Sequence, residues 1–296
     1  MILKGTLTAL ITPFDNNDNV DYTSLKKIIK NQVTHKVEGV VPCGTTGESP
    51  TLDHKEHREV IAKTIQWSKE INRDFIVAAG TGSNSTKEAI DLTKGAAADG
   101  ADYALVVNPY YNKPTQEGLI RHFSAIADNS KIPLILYNIP GRTAVSLSIE
   151  SIEKLSRHGN IAGIKEATGD LSFMLRVMEV IPEGFSLLSG DDNLLLPILS
   201  IGGQGVISVL SNIYPGRVGN IVRNYMENHT DAAKKEFYNL LPLMRAMFLE
   251  TNPIPVKYAM SCLNYCENNL RLPMTSLSLA YHETINDHLN RIGKDQ

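Results

Sequence analysis

The stretch Ile161-Ala162-Gly163-Ile164 is apolar along its whole length and runs directly into Lys165 and Glu166. A short apolar run of this kind is typical of a strand in a parallel sheet that is buried on both faces. Seven similar runs occur elsewhere in the chain, at residues 7–11, 39–42, 75–79, 103–107, 133–137, 185–188 and 205–209. The sequence therefore predicts eight buried parallel strands.

The segments between these runs have the pattern of amphipathic helices. Apolar residues recur at helical spacing, as they do within residues 25–33. Two helix starts have the spacing of a capping box, Asp53 with Glu56 and Ser85 with Glu88. Eight alternating strand and helix units favour an α/β fold of the (β/α)8 TIM-barrel type. An open doubly wound sheet is less consistent with the sequence, because no Gly-x-Gly-x-x-Gly motif follows the first run.

The strand pattern stops near residue 215, and the rest of the chain is predicted to be helical. Helical segments are expected at residues 230–250, 253–264 and 276–291. No low-complexity linker precedes them. We therefore predict a barrel of residues 1–225 and a C-terminal helical domain of residues 226–296 that packs on it.

The composition argues against several kinds of partner and site. The 296 residues carry a formal net charge of -3 with the two signs interspersed, so neither nucleic acid nor a membrane is an expected partner. Residues 1–5 do not resemble a signal peptide and no apolar run is long enough to cross a bilayer, which predicts a cytoplasmic location. Three cysteines argue against a disulfide framework. We expect no metal site.

Polar residues that follow the apolar runs are the candidates for function, because TIM-barrel active sites lie at the C-terminal ends of the strands. These residues are Thr45, Thr46, Tyr110, Tyr111, Tyr137, Arg142, Lys165, Gly190, Asp191 and Asp192.

Lys165 is the most informative of them. A lysine beside a buried strand is costly to desolvate unless it is paired or catalytic. An ion pair with Glu166 is one interpretation. The other is a catalytic amine, since burial disfavours the ammonium form and a neutral amine can attack a ketone to form an imine. Tyr137 is then either a proton shuttle or simply an aromatic residue at the barrel rim.

Two further features could hold a carboxylate. Gly44-Thr45-Thr46-Gly47 offers hydroxyl and backbone N–H groups, although an ordinary strand-to-helix turn has the same composition. Arg142 could bind a carboxylate through two parallel hydrogen bonds, or it could be a solvated surface arginine.

Together these segments resemble the dihydrodipicolinate synthase family of pyruvate-dependent class I aldolases. The resemblance runs nearly from end to end, through residues 8–14, 44–52, 108–114, 137–143, 163–170, 205–209 and 250–257. It implies that Lys165 is the Schiff-base lysine and that Tyr137 donates and accepts protons. Thr45 and Tyr111 would complete a proton relay, with the tyrosine crossing from a neighbouring subunit. The family is usually a homotetramer, a dimer of dimers.

The resemblance also implies how the substrates bind. Thr46 and the main chain at Ile207 would contact pyruvate, with Gly190 in the same binding site, and Arg142 would hold the carboxylate of L-aspartate 4-semialdehyde. The implied reaction joins these two substrates into 4-hydroxy-tetrahydrodipicolinate, on the lysine and diaminopimelate branch of biosynthesis. No cofactor is implied, because the imine itself acts as the electron sink.

A second site is implied by members of the family that L-lysine inhibits. The matching residues are Ser49, His54, His57, Asn84, Glu88 and Tyr110, and Pro50 departs from the small alanine expected beside Ser49. The alternatives are that Glu88 belongs to a capping box and that the histidines are exposed helix residues. Feedback inhibition by L-lysine is therefore a further prediction.

Two other functions remain open at this point. N-acetylneuraminate lyase or a 2-keto-3-deoxy-sugar-acid aldolase would share the lysine and the tyrosine, but Arg142 in its Gly-Arg-Thr context favours the semialdehyde. A non-catalytic barrel that binds a metabolite is disfavoured because it would not need to retain together Lys165, Tyr137, Thr45, Thr46, Tyr111 and Arg142.

Overall fold

The computed structural model describes residues 2–293, and within them eight parallel strands close into a barrel in the order of the sequence. The strands are β1 Gly5–Ala9, β2 Gly39–Val41, β3 Ile76–Gly80, β4 Tyr103–Val107, β5 Leu134–Asn138, β6 Ile161–Glu166, β7 Ser186–Ser189 and β8 Gly205–Ser208. The barrel closes where Gly5 of β1 lies opposite Gly205 of β8. The predicted (β/α)8 fold is confirmed, and β6 extends past the predicted run to include Lys165 and Glu166.

Helices surround the barrel and continue beyond it. They are α1 Tyr22–Thr34, α2 His54–Ile71, α3 Thr86–Asp99, α4 Gln116–Asp128, α5 Pro140–Thr143, α6 Ile149–Ser156, α7 Leu171–Val180, α8 Leu195–Ser200, α9 Pro215–Met226, α10 Thr230–Ala246, α11 Ile254–Cys262 and α12 His282–Ile292. The predicted capping box of Asp53 and Glu56 forms at the start of α2. Such caps stabilise a helix by about 1 kcal/mol because they satisfy N–H groups that lack partners within the helix.

Alternation along the strands divides the apolar residues into an inner and an outer layer. Ile135 and Ile207 lie in the cluster that fills the barrel interior, whereas Leu136 and Ile164 pack outward against the helices. All four are fully buried. Burying one such side chain contributes roughly 1.5–3 kcal/mol, so both layers contribute to holding the ring closed.

A register shift between β5 and β6 decides which side chain of β6 faces inward. Leu134 pairs with Ile161, but the next residue, Ile135, pairs with Gly163. Because of this extra residue in β6, Tyr137 lies opposite Lys165. Without the shift Tyr137 would lie opposite Ile164, and Lys165 would point away from the interior.

The chain after α9 packs on the barrel through helices. Helix α10 contacts α9 and α12, and α11 contacts α12. The predicted segments at 230–250, 253–264 and 276–291 correspond to α10, α11 and α12, and each helix begins or ends within a few residues of the prediction. The division at residue 225 remains a prediction, and residues 1 and 294–296 lie outside the described residues. No helix in the described part of the chain is long and apolar enough to cross a membrane.

Candidate active site

Lys165 and Tyr137 meet inside the barrel, near the C-terminal ends of the strands. Lys165 is the penultimate residue of β6, and its Nζ lies 4.2 Å from the centroid of the Tyr137 ring. Both side chains are buried, with 6% and 5% of their surface exposed. The register shift described above therefore places an amine and a phenol side by side on the inner wall.

The alternative in which Lys165 pairs with Glu166 is wrong. The carboxylate of Glu166 accepts hydrogen bonds from Asn138 Nδ2 at 2.8 Å and from the main-chain N–H of Thr168 at 2.6 Å. Burial raises the pKa of Glu166, and these two donors partly oppose that shift. Lys165 forms no ion pair with any carboxylate among residues 2–293. No carboxylate in this part of the chain therefore holds the Lys165 amine in an ion pair.

Gly190, directly after β7, makes room for the lysine. A Cβ atom at this position would lie 2.5 Å from Cβ of Ala167 and 3.2 Å from Cε of Lys165. Contacts at the first distance are essentially absent from real structures, so a larger residue would displace its neighbours. The glycine therefore allows the turn after β7 to approach the lysine side chain closely.

Two acids follow Gly190, the half-buried Asp191 and the buried Asp192, and no role was predicted for them from the sequence. Burial raises the pKa of Asp191 and that of Asp192, and the positive charge of Lys165 opposes both shifts. Asp192 Oδ2 accepts hydrogen bonds from the main-chain N–H groups of Val209 and Leu210, both at 2.9 Å. Asp192 thereby fixes the main chain just after β8. The first of these two N–H groups, that of Val209, lies two residues after Ile207, whose side chain is fully buried.

The predicted carboxylate-binding groups are linked through a residue that sequence reasoning missed. Asn252 Nδ2 donates a hydrogen bond to Thr46 Oγ1 at 3.0 Å, and both side chains are buried. Arg142 is exposed, and its Nη2 donates to the main-chain oxygen of Asn252 at 3.0 Å. Residues 250–257 are one of the stretches that carry the family resemblance, so the sequence did contain a signal for Asn252.

Tyr111 stands apart from the other predicted catalytic residues. Its side chain is 90% exposed, and its backbone adopts a left-handed conformation with φ 71°. A side chain this exposed does not pack with the buried Tyr137 of the same chain. The structure therefore brings Lys165 and Tyr137 together but leaves Tyr111 at the surface.

A cavity of about 470 Å³ is lined by residues from both the predicted active site and the predicted lysine site, although Lys165 is not among them. Thr45, Tyr137 and Arg142 line one part of it. Five of the six predicted lysine-binding residues also line it, namely Ser49, His54, His57, Glu88 and Tyr110. The sixth, Asn84, donates through Nδ2 to the main-chain oxygen of Tyr110 at 3.2 Å.

Glu88 is not held in a capping box, so that alternative is only half correct. Ser85 does cap α3 by accepting from the N–H of Glu88, but its own N–H donates to Ser83 Oγ. The Glu88 carboxylate instead accepts a hydrogen bond from Ser83 Oγ and lies 3.3 Å from Nε2 of His54. This carboxylate therefore faces the cavity rather than the helix end.

The two histidines of this cluster have different environments. The side chain of His54 is 76% exposed, as expected for a surface helix residue. His57 is buried, and burial lowers its pKa. Its Nε2 lies 2.9 Å from the main-chain oxygen of Gly80, and because a carbonyl only accepts, Nε2 carries the proton. The alternative of exposed histidines holds for His54 and is wrong for His57.

Comparison with known proteins assigns the chain to a family. Residues 2–292 match the model of the dihydrodipicolinate synthetase family. The chain belongs to this family. A relative from Leptospira biflexa serovar Patoc, named 4-hydroxy-tetrahydrodipicolinate synthase, is 57% identical over 277 residues, which cover 94% of the chain and 93% of the relative. The family and the lyase class predicted from the sequence are confirmed.

Two solved structures of dihydrodipicolinate synthases contain small molecules. One is the chloride-inhibited enzyme from Acinetobacter baumannii complexed with pyruvate, with a TM-score of 0.94 at 39% identity. The match covers 97% of the present chain and 98% of the Acinetobacter chain. The enzyme from Cyanidioschyzon merolae with lysine bound has a TM-score of 0.93 at 35% identity, with 97% coverage of each chain. Within residues 2–293, no group of three or more His, Cys, Asp and Glu side chains is arranged to hold a metal ion.

Proposed function

We propose that this chain condenses pyruvate with L-aspartate 4-semialdehyde to give 4-hydroxy-tetrahydrodipicolinate, through a Schiff base on Lys165. The observation that carries the proposal is the buried Lys165 amine, which lies against Tyr137 and forms no ion pair within the described residues. The family match and the name of the Leptospira relative support the same reaction.

The proposed reaction begins with attack of the Lys165 amine on the ketone of pyruvate. The carbinolamine loses water to form an imine, and loss of a methyl proton gives an enamine. The enamine carbon attacks the aldehyde of the second substrate, and the new alkoxide takes up a proton. The amino group of the bound semialdehyde then displaces the Lys165 nitrogen, which closes the ring and frees the enzyme.

Tyr137 is proposed to move the protons in these steps, because its phenol adjoins the reacting amine. Thr45 would relay protons to Tyr137 within the shared cavity. Tyr111 would complete the relay from a neighbouring subunit, and its 90% exposure supports a role outside its own chain. The proposed assembly is a homotetramer built as a dimer of dimers.

The substrate contacts proposed are Thr46, Gly190 and the main chain at Ile207 for pyruvate, with Arg142 for the semialdehyde carboxylate. The pyruvate complex of the Acinetobacter enzyme supports a pyruvate site in this fold. Arg142 also favours the synthase over a sugar-acid lyase, since its guanidinium is exposed and lines the cavity beside Tyr137. A cytoplasmic location stays a prediction from the sequence.

Trapping the imine tests the proposed chemistry. Pyruvate with borohydride should leave one covalent adduct on Lys165, detected by mass spectrometry of the digested protein. Lys165→Ala should abolish the adduct, while Lys131→Ala, at an exposed lysine, should leave it unchanged. An adduct of equal yield in Lys165→Ala would contradict the assignment of the amine.

The identity of the second substrate needs a separate measurement. Purified protein is incubated with pyruvate and either L-aspartate 4-semialdehyde or N-acetylmannosamine. We expect turnover with the semialdehyde alone, and turnover of the sugar alone would overturn the proposed function.

We also propose that L-lysine inhibits the enzyme by binding beside Glu88 and His54. The Glu88 carboxylate, which lines the cavity, can accept the lysine ammonium group. The lysine-bound Cyanidioschyzon structure supports such a site. Millimolar L-lysine at subsaturating pyruvate should slow the initial rate, and Glu88→Ala should relieve the inhibition. Glu117→Ala, in the first turn of α4, serves as the matched control. Unchanged wild-type rates would rule out the inhibition.

A further inference from the structure

We propose that Asn252 is a positioning residue for both substrate-binding groups. Its side chain orients the Thr46 hydroxyl hydrogen toward the pyruvate carboxylate, and its main-chain oxygen holds the Arg142 guanidinium. The hydrogen bond between Asn252 and Thr46 joins distant parts of the chain, because Asn252 lies beyond the barrel strands, 206 residues after Thr46. The proposal rests on the proposed function, and it adds a residue to which no substrate role has been assigned.

The direction of the hydrogen bond carries the argument. The amide nitrogen Nδ2 of Asn252 is a donor only, so Thr46 Oγ1 accepts in their 3.0 Å contact. A hydroxyl has one hydrogen to donate, and within residues 2–293 Thr46 has no acceptor for it. Thr46 is only 3% exposed, so leaving that hydrogen unpaired is costly. An incoming carboxylate oxygen supplies the missing acceptor.

The main chain of Asn252 contacts Arg142, the residue predicted to bind the carboxylate of the second substrate. Its carbonyl oxygen accepts from Arg142 Nη2 at 3.0 Å. A guanidinium has five N–H donors, so this contact fixes its position and leaves enough donors to bind a carboxylate through two parallel hydrogen bonds. One residue therefore positions the hydroxyl for the first substrate with its side chain and the guanidinium for the second with its backbone.

The surroundings hold Asn252 in place. Helix α11 begins two residues later, at Ile254, and its Lys257 pairs with Glu48. Glu48 lies two residues after Thr46 in the loop that follows β2. The same contact between helix and barrel thus fixes both partners of the hydrogen bond from Asn252 to Thr46.

This arrangement predicts that the two substrates respond differently to a substitution. Asn252→Ala removes the Nδ2 donor but keeps the carbonyl that holds Arg142. The KM for pyruvate should rise about tenfold, the fold-change expected for one buried hydrogen bond. The KM for the semialdehyde and kcat should stay within about twofold. A merely structural role for Asn252 would affect all three parameters together.

Asn252→Asp gives a second readout. An ionised carboxylate would accept the Thr46 hydrogen and repel pyruvate, so the KM for pyruvate should rise further than in Asn252→Ala. A protonated carboxyl can donate as the amide does. The deficit relative to the wild type should therefore shrink as the pH is lowered.

The deciding experiment measures the pyruvate concentration that gives half-maximal borohydride trapping at Lys165. This value should rise about tenfold in Asn252→Ala but should not rise further when Asn252→Ala is added to Thr46→Val. Asn239→Ala, at an exposed asparagine of α10, is the matched control.

No adduct in the wild type would overturn the proposed function, whereas a normal adduct with unchanged half-saturation in Asn252→Ala would overturn only the role of Asn252. If Asn252→Ala does not fold, a pH-independent deficit in Asn252→Asp overturns that role instead.

Discussion

The ammonium group of Lys257 pairs with the carboxylate of Glu48 in the protein interior, where the two side chains are 0% and 2% exposed. Lys257 Nζ also donates to the main-chain oxygen of Asn269 at 2.9 Å and lies 4.1 Å from the centroid of the Phe14 ring. Because Lys257 belongs to α11 and Glu48 follows the Thr45-Thr46 turn, this pair joins the C-terminal helices to the barrel mouth.

Removing one partner of this pair should be strongly destabilising. Burial lowers the pKa of Lys257, and the charge of Glu48 opposes that shift. Lys257→Met would leave the Glu48 charge buried without its partner, at a cost of about 3–5 kcal/mol in the free energy of unfolding. Urea unfolding at pH 7 measures this loss, and Lys257→Met combined with Glu48→Gln should lose less. Equal stability of Lys257→Met and the wild type would show that the pair does not hold the helices to the barrel.

Adding a methyl group at Gly190 should displace the Lys165 amine. The new Cβ would crowd Ala167 and the Cε of Lys165, and a displacement of about 1 Å at a reacting group can cost roughly 100-fold in rate. We expect kcat/KM of Gly190→Ala to fall by about that factor while the fold is retained. Gly159→Ala is the control, since a Cβ there meets no atom within 4 Å. Wild-type kcat/KM in Gly190→Ala would mean that the turn moves aside freely.

Loss of the Tyr137 hydroxyl should slow proton transfer without preventing imine formation. Tyr137→Phe keeps the ring that packs against Lys165, and general acid–base catalysis contributes about 10²–10⁴-fold. kcat should therefore fall within that range, while prolonged incubation with pyruvate and borohydride still labels Lys165. Tyr103→Phe, at the first residue of β4 and thus at the opposite end of the barrel, should change kcat less than twofold. A kcat near the wild-type value in Tyr137→Phe would assign the proton transfer to another group.

The buried histidine of α4 should make stability depend on pH. His122 is 5% exposed, its Nδ1 lies 2.9 Å from Thr86 Oγ1, and burial lowers its pKa from 6.5 to about 4. The unfolded chain therefore binds the proton more readily than the folded protein. The stability that the neutral ring contributes is complete above pH 6.5 and is lost as the pH falls to about 4, by roughly 3 kcal/mol in total.

Two variants isolate this contribution. His122→Asn should flatten the dependence of the unfolding free energy on pH between 6.5 and 4. His229→Asn, at an exposed histidine, should reproduce the wild-type curve. Parallel curves for the wild type and His122→Asn would show that another group causes the acid sensitivity.

The starts of α2 and α3 show that the capping-box spacing predicts one cap correctly and the other only in part. The Asp53 and Glu56 pair forms the capping box that its spacing predicts, because both groups lie within the same helical turn. Ser85 and Glu88 have the same spacing, yet only the serine caps α3. Ser83 and His54 take the carboxylate of Glu88, and His54 lies on a different helix. The spacing alone could not reveal this competition.

The sequence by itself determined the eight strands, the barrel and the positions of Lys165 and Tyr137 near strand ends, because runs of buried apolar residues are a local property of the chain. Only the tertiary structure decided which side chains meet. The extra residue in β6 turns Lys165 inward opposite Tyr137, and the packing of α11 brings Asn252 to Thr46. Both outcomes depend on strand register and on contacts between distant segments, and those are settled by packing across the whole barrel.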